Sequence, residues 1–191
     1  MDLLFLILQL VGISLGAGAA FIFDCFFIIS LKNHRISVRE EKILSRLSLL
    51  SIIASTVAIF SYIIVLSFQF EENSISATGI GFATAKLLIF SFALLCGITL
   101  RKIHLPALLR HQQTYFHLSE SMLLHQDSLI STAIYSTVSW LAVLTLTAIE
   151  QKQAIYSVSL TQYNFLHIIV IYIAVAITCN YVGLLIKNKV L

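Results

Sequence analysis

Lys86 is the residue whose type and position most directly indicate a chemical site. It is the only charged residue between Thr78 and Leu100, a run that is otherwise apolar or weakly polar and long enough to cross a membrane. A charged side chain at that depth is costly, so it normally faces a protein interior, a cavity or a ligand. We therefore expect the Lys86 ammonium to meet an anion or a carbonyl oxygen inside the protein.

Three further polar residues fall at a similar depth in their predicted helices. They are Gln9, Tyr62 and His167. Counting about 1.5 Å of rise per helical residue, these three and Lys86 lie ~8–12 Å from the outer ends of their helices. The four are therefore predicted to form a ligand-binding site in the outer half of the bundle.

Small residues share a helix face with two of these polar groups. They are Gly12, Gly16 and Ala20 after Gln9, and Gly79 and Ala83 before Lys86. Such faces let a neighbouring helix or a flat ligand approach closely. Two interpretations follow: a flat apolar molecule binds beside Lys86, or Lys86 bonds to Gln9 and to backbone carbonyls with no ligand present.

Asp24 is a second intramembrane charge, but it lies toward the opposite end of its helix. At that depth it cannot reach Lys86. We expect it to pair with Arg101 or with an arginine of the first loop, or to carry a proton. Trp140, in the middle of the fourth predicted helix, is expected to pack in the core or to form a cavity wall.

No metal centre is predicted, and no catalytic residue can be assigned. His104, His111, His117 and His125 follow one another at gaps of six to eight residues, which do not place ligands on one helix face. The three cysteines, Cys25, Cys96 and Cys179, form no CxxC pair and are expected to serve packing. The CxxCH motif of covalent haem attachment is absent.

Composition assigns the chain to the integral membrane proteins. Hydrophobic residues make up 59% of the chain and charged residues 11%, which leaves too little polar surface to cover a soluble globule. The apolar runs are continuous and do not alternate with period two, which argues against a membrane β-barrel. We predict an all-α, five-transmembrane-helix bundle forming a single membrane domain over 1–191. The predicted helices lie near 3–31, 44–69, 78–100, 128–149 and 163–186.

A cytoplasmic amphipathic segment is predicted between helices three and four. Its apolar residues recur at roughly helical spacing among polar ones. They are Leu105, Leu108, Leu109, Phe116, Met122 and Leu123, with Pro106 in the first turn.

Basic residues determine the predicted orientation. Ten of the twelve lie on one side of the membrane: Lys32, Arg35, Arg39, Lys42, Arg46, Arg101, Lys102, Arg110, Lys187 and Lys189. The opposite side has Lys152 together with Glu71, Glu72 and Glu150. The positive-inside rule then places the N-terminus outside and the C-terminus in the cytoplasm of a bacterial inner (plasma) membrane, with helix one as a retained anchor. The expected partners are the lipid bilayer and other membrane subunits; nucleic acid is not expected, because the basic stretches are explained by topology.

Parts of the chain resemble a known group of membrane proteins. The matching stretches run from Gln9 to Glu40, then Ala85-Lys86-LL, then Leu100-RKIHL-Pro106. They resemble a set of uncharacterised small bacterial membrane proteins, which are similar in layout to the HemJ protoporphyrinogen oxidases and the CopD copper-resistance proteins. The resemblance covers helices one to three well and helices four and five loosely.

The resemblance implies a porphyrin ligand, haem or its metal-free form. In HemJ-like proteins a first-helix histidine and a third-helix lysine are the functional pair. Lys86 stands at the lysine position, Gln9 at the histidine position, and Arg101 in place of another histidine before the proline. An amide is a poor iron ligand, which leaves His167 as the only histidine well inside the membrane.

Three functions remain open from the sequence. The chain could bind a flat apolar ligand, porphyrin- or quinone-like, with Lys86 meeting its carboxylate or carbonyl. It could be an accessory subunit of a larger, respiratory-type membrane complex without ligand chemistry. It could be a haem-dependent oxidoreductase that uses His167 as axial ligand. A channel or proton-coupled carrier is disfavoured, because one lysine and one aspartate at different depths do not make a relay.

Overall fold

The computed structural model describes residues 2–32, 38–71, 77–106, 120–156 and 165–190. Five α-helices account for nearly all of them: α1 (Asp2–Lys32), α2 (Val38–Glu71), α3 (Ala77–Thr99), α4 (Glu120–Tyr156) and α5 (Phe165–Val190). A π-helical turn, Leu100–His104, continues α3. No strand occurs in these ranges.

All five helices are long and apolar enough to cross a membrane. The predicted all-α bundle of five transmembrane helices is therefore confirmed. Helices are the expected form because every backbone N–H and C=O in a bilayer must be bonded within the protein. Serine and threonine hydroxyls on the outward surface likewise bond within the protein, to backbone carbonyls of their own helix. Thr84, for example, donates to the Ile80 carbonyl at 2.8 Å, and Ser91 to the Leu87 carbonyl at 2.9 Å.

Two helices extend well past the predicted windows. Helix α2 begins at Val38, ahead of its apolar window near 44 and next to Ser37, where the capping-box pattern Ser37-Val38-Arg39-Glu40 predicts its start. Helix α4 runs from Glu120 to Tyr156, past both ends of its predicted window of 128–149. Hydropathy marks the membrane-crossing part of a helix, whereas the helix itself continues through its polar ends. Most of the predicted amphipathic segment, 107–119, lies outside the described residues. Its last part, from Glu120 onward, belongs to α4.

Contacts between helix ends show that successive helices run in opposite directions. The rings of Phe5 on α1 and Phe68 on α2 lie 6.5 Å apart, so α1 begins where α2 ends. A Cβ on Gly81, near the start of α3, would lie 3.4 Å from Phe165, where α5 begins. We call this end of the bundle, at which α4 finishes, the Glu150 end, and the opposite end the Asp24 end.

The centre of the bundle is packed around Trp140 of α4. Its ring meets Phe90 of α3 edge to face, with centroids 6.1 Å apart, and both side chains are buried. On α1, a Cβ at Gly16 would lie 2.0 Å from the Trp140 ring, and one at Gly12 would lie 3.0 Å from the Ala54 carbonyl oxygen. The small-residue face of α1 is therefore filled by α2 and by Trp140.

Helix α5 lies at the periphery. Only 6% of its membrane-crossing window is buried in the bundle, against 33–50% for the other four helices. Its outward apolar side chains include Leu166, Val170, Ile173 and Ile177. These residues recur at helical spacing and form one exposed stripe.

Candidate ligand site at the Glu150 end

Lys86 forms an ion pair with Glu150. The Lys86 Nζ of α3 donates to Glu150 Oε2 of α4, and the Lys86 side chain is completely enclosed. Residue 86 lies well inside the α3 span, whereas residue 150 is the last of the α4 span. The long lysine side chain thus extends toward the end of the bundle, which matches the tendency of intramembrane lysines to reach for a polar boundary.

Tyr62 of α2 completes a three-residue cluster. The Lys86 Nζ lies 4.3 Å from the centroid of the Tyr62 ring, within the range of a cation–π contact. The Tyr62 hydroxyl donates to the other Glu150 oxygen, Oε1, at 3.4 Å. The Lys86–Glu150–Tyr62 cluster therefore joins α2, α3 and α4 through one carboxylate.

The members of the cluster differ sharply in exposure. Lys86 is 0% exposed, whereas the Glu150 side chain is 35% exposed. Tyr62 is buried, and its ring lies 6.4 Å from that of Phe90, which continues into the Trp140 core. The cluster thus has an apolar, aromatic inner side and a single carboxylate on its open side.

This arrangement has a definite chemical capacity. An ammonium ion with one carboxylate partner can exchange that partner for another anion or for a carbonyl oxygen. The tyrosine offers a hydroxyl donor at the same place. The cluster is therefore suited to recognising a negatively charged or carbonyl-bearing head group.

Of the four site residues predicted from sequence, the structure brings Lys86 and Tyr62 into contact. Gln9 is buried on α1, and the described residues include no hydrogen bond between it and Lys86. His167 is exposed on the first turn of α5 and faces outward. Haem ligation by His167 stays a prediction that no contact in the described part of the chain favours.

Glu150 is the cluster residue that the sequence analysis missed. Its position just after the predicted fourth helix, which ends at residue 149, places it among the charges outside the membrane. A signal was present: Trp140, Val143, Thr147 and Glu150 recur at intervals of three or four residues and so share one helix face. Since that face carries the core tryptophan, Glu150 is directed toward the bundle.

Asp24 has a different partner from those expected. The Thr137 hydroxyl of α4 donates to Asp24 Oδ2. No described arginine pairs with Asp24, and Nη1 of Arg101 has no hydrogen-bond partner there. The remaining candidate, Arg35 of the first loop, lies outside the described residues.

Trp140 lies in the core, as one of its two interpretations predicts. Its side chain is buried, and the indole Nε1 has no hydrogen-bond partner among the described residues. The ring therefore contributes packing area rather than a polar contact.

The described histidines and cysteines do not cluster. The described ranges contain no group of three or more His, Cys, Asp or Glu residues that could hold a metal ion. Cys96 is buried, whereas Cys25 and Cys179 are exposed, so packing inside the bundle is observed for Cys96 alone. His104 is buried and its Nε2 lies 3.2 Å from Thr132 Oγ1. His111 and His117 fall outside the described residues.

Comparison with known proteins leaves the function to be argued from the site. No family model, no curated protein and no solved structure matches this chain.

Proposed function

We propose that this integral membrane protein binds an amphipathic molecule with a flat apolar body, porphyrin- or quinone-like, through Lys86. The ligand's carboxylate or carbonyl oxygen takes the place of Glu150 on the Lys86 ammonium. The observation that carries the proposal is the exposure gradient in the cluster, from 0% at Lys86 to 35% at Glu150. Glu150 is the displaceable counter-ion, because it alone can turn outward when a ligand arrives.

The energetics of the ion pair support such an exchange. Removing two charges from water costs about as much as their attraction returns, so a buried pair stabilises a fold only weakly. A ligand carboxylate that replaces Glu150 keeps Lys86 neutralised and releases the Glu150 carboxylate to water. The exchange therefore leaves no charge unpaired inside the bundle.

The packing limits where the apolar body of such a ligand can lie. The small-residue face of α1 is filled by α2 and Trp140, so a flat molecule has no room there. The body of the ligand lies in the surrounding lipid, against the outward apolar side chains beside the cluster. Only its head group reaches Lys86. The resemblance to the HemJ/CopD-like group points to the same chemical class of ligand.

Fluorescence of Trp140, the only tryptophan in the chain, tests the proposal. Purified protein in lipid nanodiscs is titrated with protoporphyrin IX and with a short-chain quinone. We expect saturable quenching, and a loss of affinity of about 10–100-fold in Lys86→Met, which corresponds to one charge-assisted hydrogen bond of ~1.5–3 kcal/mol.

The matched control removes a lysine from the opposite end of the bundle. Lys102 is exposed at the Asp24 end, so Lys102→Met should bind both probes as the wild type does. Equal affinity of the wild type and Lys86→Met for both probes would contradict the proposal.

A role as an accessory subunit is the second candidate, and the periphery of α5 favours it. A helix with only 6% of its window buried offers a long apolar face to another membrane protein. A photo-crosslinking residue at Ile173, on the exposed stripe of α5, should then give one discrete adduct in membranes. The same residue at Phe60, which is exposed on α2, serves as the control. Lipid adducts alone at both positions would exclude this role.

A further inference from the structure

A small polar cavity lies at the Asp24 end, away from the Lys86–Glu150–Tyr62 cluster. Its walls come from α1, α2, α3 and α4, and its interior has room for roughly one water molecule. The wall residues that matter here are Asp24, Ser48, Ser51, Gly97, Leu100 and Ser136. One carboxylate and three hydroxyls thus line a cavity about the size of one water molecule.

Several of these oxygens have free lone pairs. The side chains of Ser51 and Ser136 are both more than nine-tenths buried and line the cavity, where each hydroxyl oxygen can accept a hydrogen bond or coordinate an ion. The Ser48 hydroxyl donates to the Ser45 carbonyl at 3.0 Å and keeps its own lone pairs. Thr137 occupies Oδ2 of Asp24, and no described residue donates to Oδ1. The cavity is therefore lined by unfilled oxygen acceptors.

The charge of Asp24 is also unbalanced by protein. No described basic residue forms an ion pair with Asp24, and the Lys86–Glu150 pair lies at the other end of the bundle. A carboxylate within a membrane span requires a positive partner or a proton. A cation in the cavity would meet that requirement directly.

The donor set selects the kind of cation. One carboxylate with hydroxyl oxygens is a hard, all-oxygen set with a single negative charge, and the cavity lining includes no second carboxylate, histidine or cysteine. Divalent ions in proteins usually take more carboxylate than this. A singly charged ion leaves the site neutral.

We infer that this cavity binds one sodium ion, held by Asp24 and by the hydroxyls of Ser48, Ser51 and Ser136. The lining offers one carboxylate and three hydroxyls, a small set of oxygens that suits sodium better than potassium, which takes more oxygen ligands. The π-helical turn that begins at Leu100 forms part of the wall, and such turns occur frequently at functional sites. The bound ion joins α1, α2 and α4 at the Asp24 end, as Glu150 joins α2, α3 and α4 at the other.

Thermal unfolding of the purified full-length protein in detergent tests the inference. Sodium chloride is titrated against choline chloride at constant ionic strength, with potassium chloride as a parallel series. A ligand that binds only the folded state raises Tm with its concentration. We expect a saturable rise of about 5–10 °C with sodium at a hundred times its Kd, and a much smaller rise with potassium.

Gly97→Ala is the sharpest variant. Its added methyl would lie 3.4 Å from Ile52 Cγ1 and 3.9 Å from Ser51 Oγ, so it enters the cavity in ordinary van der Waals contact. The variant should fold and lose the sodium response. Asp24→Asn should lose it as well. In Ser91→Ala, which removes an exposed hydroxyl elsewhere on α3, the response should persist.

Binding of radioactive sodium to the same proteins gives a second measurement that does not depend on unfolding. We expect one ion per wild-type chain, and at least tenfold weaker binding in Gly97→Ala. Equal Tm shifts with sodium, potassium and choline would overturn the inference. Sodium binding that survives in Gly97→Ala would also overturn the inference. In either case the cavity would hold water beside a protonated Asp24.

Discussion

At the scale of single residues, the two intramembrane charges are accommodated in different ways. Lys86 meets a carboxylate and an aromatic ring, whereas the only described donor to Asp24 is one hydroxyl. An ion pair with an enclosed partner loses much of its attraction to desolvation, so the effect on stability depends on which partner is removed. The difference in exposure between Lys86 and Glu150 makes that dependence measurable.

We expect Glu150→Met to destabilise the fold more than Lys86→Met does. Without Glu150, the ammonium remains enclosed with only the Tyr62 ring, which should cost about 3–5 kcal/mol. Without Lys86, the 35% exposed carboxylate can turn to water, so the cost should be about 1 kcal/mol. Equilibrium unfolding in mixed detergent micelles measures both values.

The double variant is the control for this pair. Replacing both charges by methionine removes the attraction together with the desolvation, so its stability should lie within about 1 kcal/mol of the wild type. Equal losses of unfolding free energy in the two single variants would mean that Glu150 and Lys86 are equally enclosed. That result would contradict the exposures of 35% and 0% in the structure.

The sequence identifies Lys86 by the energetic cost of a charge in the membrane, but it does not identify Glu150, which lies at the end of a predicted helix. Lys86 is identifiable because a lone charge in an apolar run has few stable environments. Tyr62 is predicted as a site residue only because it lies at the same depth in its helix as Lys86. Glu150 lies where hydropathy ends, and hydropathy cannot distinguish a boundary carboxylate that faces the bundle from one that faces water. Only the three-and-four spacing from Trp140 makes that distinction.

At the scale of elements, helix α1 depends on two glycines in different ways. Gly16 faces the Trp140 ring, whereas an added Cβ at Gly18 would meet nothing within 4 Å. The first position requires the absence of a side chain, and the second does not. The two residues therefore form a matched pair within one helix.

Gly16→Ala should destabilise the protein and Gly18→Ala should not. The methyl at position 16 overlaps the indole, and overpacking of this kind costs about 1–3 kcal/mol. At position 18 the better helix propensity of alanine should give a gain of about 0.5–1 kcal/mol. Thermal unfolding followed by Trp140 fluorescence measures both. Similar Tm values for the two variants would show that the ring does not rest on Gly16.

The helices themselves were predictable, but some of their details were not. Five windows of apolar sequence were enough to place α1 and α3 within about two residues of their observed ends, because both are apolar almost throughout. The extra turns of α2 and α4 are polar, so hydropathy omits them. The π-helical turn at Leu100 lies just before Pro106, which lacks a backbone N–H, yet nothing in the residue types specifies a π turn there.

At the scale of the whole molecule, charge is distributed unevenly along the bundle. Of the basic residues in the described ranges, only Lys86 and Lys152 lie toward the Glu150 end. The others lie where α1, α3 and α5 end and where α2 begins. The positive-inside rule therefore predicts that the Asp24 end is the cytoplasmic one.

Cysteine labelling tests this orientation. In a variant with Cys25, Cys96 and Cys179 replaced by serine, a cysteine introduced at Asn73 should react with an impermeant maleimide on intact cells. One introduced at Gln113 should react only after permeabilisation, because the connections at 73 and 113 follow helices of opposite direction. Labelling of both from the same side would contradict the five-span topology, and the reversed pattern would contradict the predicted orientation.

The affinity of Glu150→Gln for an anionic ligand tests the central claim most directly. Glutamine keeps an acceptor oxygen for Lys86 but removes the charge that competes with the ligand. If Glu150 is the displaceable counter-ion, the variant should bind protoporphyrin IX about tenfold more tightly than the wild type, a gain of ~1.4 kcal/mol. If the Lys86–Glu150 pair serves only to hold α3 against α4, the substitution should leave the affinity unchanged or lower it, and that result would contradict the account.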